Sequence, residues 1–393
     1  MLFVGFLVMF FSSAVKNVFQ VNFRSIADAL DVSRGQLSIS GSIFMLTMGV
    51  GSMVAGFLCD RVGPKRTILF GSAVAGLAFV TSAVSQSFPV FIGMYGVVAA
   101  LALAGMQYVP MGVLVDQVFA DRSKGIAYAA LTNGTAIGFV VLSPLWVWLN
   151  VHQAWHTVFL WIGLFFILPL TLLIAFGLRV PEAVESAPTA KVATNWRGVL
   201  SSVEFYFLAV SFMGCGVNMA FIDIHFVPLM QDRGTDAVIV ASTLSVLGIF
   251  EMIGAFVAGA LAARAPYRIL LSSFYFVRGL SVFMLAAAGT RFEYTIFAAI
   301  FGMTYLGTVI VTSLYCLRFF GKEVKGSVFG ALWFVHQVGA FAAVALGGWA
   351  RDAFGDYQAV VLVTGGISLF SAFVALLIPR TSLVVTPVTT ETA

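Results

Sequence analysis

Charge is what this sequence has least of. Only 10% of its 393 residues are Asp, Glu, Lys or Arg, against roughly 25% in an average soluble protein, and 60% are hydrophobic. A chain of this composition has too little polar surface to cover itself in water. The composition therefore predicts an all-α membrane protein, because helices satisfy their backbone hydrogen bonds within lipid.

Cysteine, histidine and nucleotide-binding motifs are also scarce. The cysteines Cys59, Cys215 and Cys316 have no metal-site or redox spacing, and the four histidines are dispersed. There is no G-x-x-x-x-G-K-[ST] loop for ATP. These absences predict that the protein is not an enzyme and holds no metal or cofactor. The net charge of +4 is scattered over short loops, so no nucleic-acid partner is predicted.

Long apolar runs fill the rest of the chain. A membrane-spanning helix needs about 20 apolar residues, and twelve such runs occur. They cover 2–22, 38–59, 67–86, 89–115, 125–148, 155–178, 202–229, 237–262, 268–288, 293–317, 327–349 and 357–378. The longest polar connection, 179–200, separates six runs from six. We expect a bundle over 1–178, a cytoplasmic linker over 179–200, a second bundle over 201–379 and a disordered tail over 380–393.

Basic residues predict the orientation in the membrane. If both termini are cytoplasmic, 14 of the 21 Lys and Arg residues lie on the cytoplasmic side and 5 lie in the outer loops. We therefore expect a protein of the cell inner membrane, working as a monomer, with both termini inside. The first apolar run begins at Met1 itself, so we expect the natural start to lie slightly upstream.

The two halves of the chain repeat each other. Lys124-Gly125, Ala130-Leu131 and Gly138 return as Lys325-Gly326, Ala331-Leu332 and Gly339, at an offset of 201 residues. Parallel six-helix repeats of this kind place a binding site between the halves, near the bilayer midplane. The repeat is the strongest indication of a transporter that comes from the residues themselves.

The loop between runs 2 and 3 concentrates charge in a short stretch. We expect it to act as a conformational gate, with the following residues: Gly56, Asp60, Arg61, Gly63, Lys65 and Arg66. In the second half the loop is degenerate, because Ala263 replaces the aspartate. An ordinary basic loop kept by the positive-inside bias is the alternative.

Polar residues inside the apolar runs are candidates for function, because an ionisable group in lipid is costly. Ser13, Lys16, Asn17 and Gln20 recur at helical spacing and form one polar stripe on run 1. The predicted substrate-binding residues are Lys16, Asn17, Gln20, Tyr108, Asn133, Asn218, His336 and Gln337. Snorkelling of Lys16 to the outer interface is the main alternative for that residue.

Four further residues are predicted to couple transport to protons: Asp223, His225, Glu251 and Arg278. His225 suits this role because the unperturbed pKa of histidine is near 6.5. Glu251 and Arg278 fall at similar depth on consecutive helices. Either they form a buried ion pair that is only structural, or Glu251 exchanges protons as its partner moves.

The loop spacing G-x-x-x-D-R-x-G-x-[KR]-[KR] resembles the loop between helices 2 and 3 of the major facilitator superfamily. Lys16-Asn17-Val18-Phe19 and His336-Gln337-Val338-Gly339 are similar to the monocarboxylate-transporter-like branch, in which a lysine at the position of Lys16 receives the carboxylate and proton. The sequence departs from that branch in helix 8. Glu251 stands at the aspartate position and Ala255 at the position of the carboxylate-clamping arginine.

This resemblance implies a secondary active transporter that works by alternating access. The preferred hypothesis is proton-coupled symport of a small organic anion, such as a monocarboxylate. A proton-driven antiporter that exports a hydrophobic or cationic compound is the first alternative. A non-transporting membrane sensor is the second, although the short linker provides no domain to relay a signal.

Overall fold

A computed structural model describes residues 1–85, 87–119, 121–178, 196–320 and 325–379. These residues form helices and short connections, with no strand among them. Twelve helices are long and apolar enough to cross a membrane, as predicted from the hydrophobic runs. They are α1 Leu2–Ala29, α2 Arg34–Cys59, α3 Pro64–Val84, α4 Phe88–Val115, α5 Ala130–His152, α6 Trp155–Gly177, α7 Val203–Asp232, α8 Ala237–Ala262, α9 Tyr267–Ala287, α10 Arg291–Phe320, α11 Val328–Phe354 and α12 Gln358–Leu376.

Some helices extend beyond these spans. The helix that contains α2 ends at Val62. The helix that contains α5 begins at Asp121, and the helix that contains α11 begins at Lys325. A short helix, Trp196–Ser201, occupies the end of the predicted 179–200 linker. Residues 179–195 and the predicted tail 380–393 lie outside the described residues.

Local chemistry sets the ends of the second and third helices. The Ser33 side chain caps α2 by accepting a hydrogen bond from the backbone N–H of Gln36. The Gln36 side chain in turn accepts a hydrogen bond from the backbone N–H of Ser33. At the other end Gly63 adopts φ +84°, a conformation that side chains with a Cβ rarely adopt. Pro64 then begins α3, where its missing N–H costs no helical hydrogen bond. The charged loop is therefore a tight turn.

One helix of the first bundle is interrupted, and another contains a single turn residue. Val15 separates the α1 segments Leu2–Ala14 and Lys16–Ala29, but it keeps helical dihedrals and its N–H still bonds the carbonyl of Phe11, so α1 runs on through it. Helix α4 contains a π-helical stretch, Ile92–Ala99, and a turn at 105–107 before helix resumes at Tyr108. The corresponding helices of the second bundle, α7 and α10, are continuous, even though α7 contains Pro228.

The helices of the two bundles pair in the same way. Helix α1 packs on α5 as α7 packs on α11, α2 on α4 as α8 on α10, and α3 on α6 as α9 on α12. Gly138 lies against the backbone carbonyl of Phe10, and its repeat partner Gly339 lies against the carbonyl of Met213. Small residues allow such close approach of helices within lipid. The bundles meet each other mainly through α2 on α11 and α5 on α8.

Candidate functional site

The turn in α4 contacts α1 just before Val15, inside the first bundle. Gln107, in the α4 turn, donates from Nε2 to the backbone carbonyl of Ser12 at 3.5 Å. The next residue, Ser13, shares a hydrogen bond of 3.1 Å with the Thr135 hydroxyl of α5. Irregular backbone at membrane depth is tolerated where it lines a cavity or a binding site. This region contains Lys16 as the first residue of the second α1 segment.

The polar stripe of α1 continues beyond Val15. Asn17 is fully buried, and its Nδ2 lies 3.5 Å from the Ser143 hydroxyl of α5. One turn further on, Gln20 crosses to the other bundle and donates to the carbonyl of Ile222 in α7 at 2.6 Å. Gln20 therefore marks the depth at which the two bundles come into direct contact. The side chain of Lys16 lies outside the described part of the structure.

Three of the predicted proton-coupling residues gather around one tyrosine in the second bundle. The Tyr305 hydroxyl of α10 donates to the Asp223 carboxylate, with distances of 2.8 and 2.9 Å to its two oxygens. Glu251 of α8 is 6% exposed and lies within electrostatic range of the same hydroxyl. The backbone carbonyl of Tyr305 accepts from Nη2 of Arg278 at 3.2 Å. Tyr305 is not among the predicted substrate-binding or proton-coupling residues.

Arg278 is fully buried and is bound by uncharged groups. Its nitrogens donate to the hydroxyls and carbonyls of α10, through Thr304, Tyr305 and Thr308, and to the Cys215 sulfur of α7 at 3.0 Å. No described ion pair joins it to Glu251. Acceptors on α10 satisfy the guanidinium group without a carboxylate, so the ion pair, one of the two hypotheses for Glu251 and Arg278, is not among the described contacts.

Arg278 also reaches towards α11 through the Cys215 sulfur. Cys215 shares a further hydrogen bond with the Thr308 hydroxyl at 3.2 Å, and His336 contributes to the electrostatic environment of the sulfur. The His336 ring stacks on Trp333 with centroids 4.8 Å apart, and its Nδ1 lies 3.3 Å from Oε1 of Gln337. Cys215, which has no metal-site or redox spacing in the sequence, thus lies within this polar cluster.

His225 lies apart from this cluster. It is fully buried, with Nε2 2.8 Å from the carbonyl of Val344 in α11. Its ring packs on Phe23 of α1 and on Tyr357, with centroids 5.6 and 5.2 Å away. Burial raises the pKa of Tyr357, so its phenol stays protonated and neutral near neutral pH. His225 therefore lies in a packed contact between bundles and not beside Asp223.

An ionic cluster closes one end of the protein above His225. Asp232 of α7 accepts from Nε of Arg351 in α11 at 2.7 Å and lies 3.6 Å from Nε of Arg24 in α1. A second contact joins the bundles where the backbone N–H of Gly35 donates to Asp352 at 2.8 Å. We call this end, with Arg24, Asp232 and Arg351, the closed face. In the sequence these arginines count among the five outer-loop charges, and no pattern there indicates that they pair with Asp232.

The remaining predicted residues are dispersed. Asn218 is buried and donates to the carbonyl of Gly214 in its own helix at 2.9 Å. Asn133 is half-buried in α5, and Tyr108 is 39% exposed. In the predicted gate, Arg61 lies over the Phe57 ring at 4.2 Å, Gly56 contacts Val109, and Lys65 and Arg66 follow the Gly63 turn. The side chain of Asp60 lies outside the described residues.

The sequence profile of the Major Facilitator Superfamily matches residues 2–344. The chain belongs to this superfamily. It is 28% identical over 361 residues to the uncharacterized MFS-type transporter YcxA of Bacillus subtilis, covering 89% of this chain and 88% of that protein. It is 24% identical over 383 residues to Monocarboxylate transporter 13 of Rattus norvegicus, covering 94% and 87%.

The fold also agrees with solved structures of the superfamily. A bacterial homologue of the human lysosomal transporter Spinster, inward-facing and unoccupied, superimposes with a TM-score of 0.78 at 14% identity, covering 97% of this chain and 96% of that one. The superfamily member described here is therefore an integral membrane transporter of the monocarboxylate-transporter-like type, and it is not an enzyme.

Proposed function

We propose that this transporter is a secondary active carrier that moves a small organic anion together with a proton by alternating access. The observation that carries the proposal is the turn in α4 that contacts α1 through the Gln107–Ser12 hydrogen bond, because Lys16 lies one helical turn beyond Ser12. A lysine within a membrane span adds a full positive charge at membrane depth. An anion would find this charge beside irregular backbone of α4.

The second bundle supports the proton-coupling part of the proposal. Asp223 accepts from the Tyr305 hydroxyl and Glu251 lies within electrostatic range of it, so two carboxylates converge on one tyrosine within the second bundle. Arg278 does not neutralise them directly, since its nitrogens are engaged by Cys215 and α10. We assign proton carriage to Glu251, with Asp223 and Tyr305 as its neighbours.

The closed face supports the alternating-access part. Contacts between the bundles run from the Arg24–Asp232 pair through His225 to the Gln20–Ile222 bond. Substrate bound near Lys16 would therefore leave through the opposite end, which carries Gly63 and Ala263. If the termini are cytoplasmic and the membrane is the cell inner membrane, this arrangement corresponds to an inward-facing carrier. The gate loop would then close when the closed face opens.

Uptake into proteoliposomes tests the proposal. A panel of labelled mono- and dicarboxylates is offered with and without an inward proton gradient. We expect gradient-driven uptake of at least one acid and a loss of about tenfold or more in Lys16→Ala, since a hydrogen bond to a charged group contributes about 1.5–3 kcal/mol. Glu251→Gln should keep exchange of internal for external substrate but lose accumulation driven by the gradient.

Asp356→Asn is the matched control for Glu251→Gln. Asp356 is an exposed carboxylate between α11 and α12 that accepts a backbone hydrogen bond, which asparagine can also accept. Gradient-driven accumulation of substrate by Asp356→Asn should equal that of the wild type. Failure of folded protein to take up any acid would contradict the anion assignment. Proton-stimulated export of a hydrophobic cation, unchanged by Lys16→Ala, would instead favour the antiporter.

A further inference from the structure

A groove with a volume of about 450 Å³ lies between α9 and α12 on the outer surface of the second bundle. Its lining includes Ser272, Ser273 and Phe276 of α9 and Leu369, Phe373 and Leu376 of α12. Phe276 is 51% exposed and Phe373 is 58% exposed, so the groove faces away from the protein. Because both helices span the membrane, a lipid chain or another protein must cover this apolar surface.

An arginine lies at one end of the groove. Nη1 of Arg268 donates to the backbone carbonyl of Leu376, a groove residue, at 3.4 Å. This is the one hydrogen bond that the guanidinium group makes to the described residues. Arg268 precedes Ser272 by one helical turn of α9. The guanidinium group therefore lies next to one end of the apolar groove. A positively charged group next to an apolar groove complements the phosphate and the acyl chain of a phospholipid.

The charge around this end of the groove is positive. Arg318 is exposed and lies 5.6 Å from the centroid of the Tyr267 ring, and Arg264 is exposed in the α8–α9 connection. No described ion pair includes either of them or Arg268. The nearby carboxylate is Glu204, which is 3% exposed and acts on Tyr315 together with Arg268 and Arg318. Among the described residues at this end of the groove, three arginines against one carboxylate leave an excess of positive charge.

We propose that this groove binds an anionic phospholipid, with one acyl chain between α9 and α12 and the phosphate on Arg268. Basic pockets between membrane helices are suited to anionic headgroups. A second copy of the chain fits less well, because a two-fold contact here would bring two arginine groups together. A zwitterionic lipid would place a positive group among the same arginines.

Native mass spectrometry of the full-length protein in detergent tests this site. Phosphatidylglycerol and phosphatidylcholine with matched acyl chains are titrated separately. We expect preferential retention of phosphatidylglycerol and a decrease of about fivefold in its affinity in Arg268→Gln, which corresponds to roughly 1 kcal/mol per basic residue. Ser273→Phe should fill the exposed groove and weaken binding of phosphatidylglycerol without altering the buried core.

Arg291→Gln is the control, because Arg291 is an exposed arginine at the opposite end of α10. It should bind phosphatidylglycerol like the wild type, and thermal unfolding should confirm that every variant is folded. Equal retention of both lipids, or unchanged affinity in folded Arg268→Gln, would overturn the proposal. A dimer that Ser273→Phe dissociates would assign the groove to a second copy. Transport is not measured, so this result is independent of the substrate assignment.

Discussion

The two bundles share one arrangement of helices but handle polarity differently. The first bundle interrupts α4 and joins the turn to α1 through neutral groups, as in the Gln107–Ser12 bond. The second keeps α7 and α10 continuous, buries Glu251 and Arg278, and places the half-buried Asp223 on the Tyr305 hydroxyl. A duplicated fold can therefore carry its polarity in two ways. One bundle has irregular backbone with neutral partners, while the other holds ionisable side chains on a regular frame.

Loss of the buried guanidinium group should have the largest effect on stability. Arg278→Met removes the donor that satisfies Thr304, Tyr305, Thr308 and Cys215. We expect a loss of about 3 kcal/mol, because hydrogen bonds to a charged group are lost and buried acceptors remain. Asn17→Leu in the first bundle should cost only about 1 kcal/mol, since its one described side-chain bond is long. Denaturant or thermal unfolding in detergent measures both.

If Arg278→Met and Asn17→Leu lost equal amounts of unfolding free energy, the contrast between a charged and a neutral bundle would be contradicted. Arg291→Gln provides the baseline for removing an arginine that is exposed. Its unfolding midpoint should not move.

The repeated helix contacts should respond equally in the two bundles. Gly138→Ala directs a methyl group at the carbonyl of Phe10, and Gly339→Ala directs one at the carbonyl of Met213. Each should cost about 1–3 kcal/mol through overpacking. Gly330→Ala is the control, because no neighbouring atom lies within 4 Å of its added methyl group. Tolerance of Gly138→Ala alone would indicate that α1 adjusts more readily than α7.

The smallest effect is expected at the closed face. Asp232→Asn weakens the contacts to Arg24 and Arg351, which are partly exposed, so a change of about 1 kcal/mol is expected. This corresponds to roughly fivefold greater opening of that face. Ser38→Cys places a thiol at a fully buried position there, and its alkylation rate by a polar reagent measures opening. Identical rates with and without Asp232→Asn would exclude this cluster as a determinant of closure.

Hydrophobic run length was enough to predict the twelve helices, because lipid demands about 20 apolar residues per span. The buried charges were also visible, since an ionisable residue stands out in an apolar run. Their partners were not: Arg278 binds acceptors on α10, some 26 to 30 residues away, and backbone carbonyls leave no mark in the sequence. The Arg24–Asp232 contact joins residues from opposite halves, so no local pattern indicates it.

Tyr305 acts as a spacer between charges of opposite sign. Its carbonyl accepts from Arg278 and its hydroxyl donates to Asp223, so the length of one aromatic side chain separates the two groups. Without such a spacer, an arginine and an aspartate in lipid would be drawn into a direct pair, and neither would remain responsive to a proton or a substrate. Because both contacts come from one residue of α10, any displacement of that helix moves the two charges together.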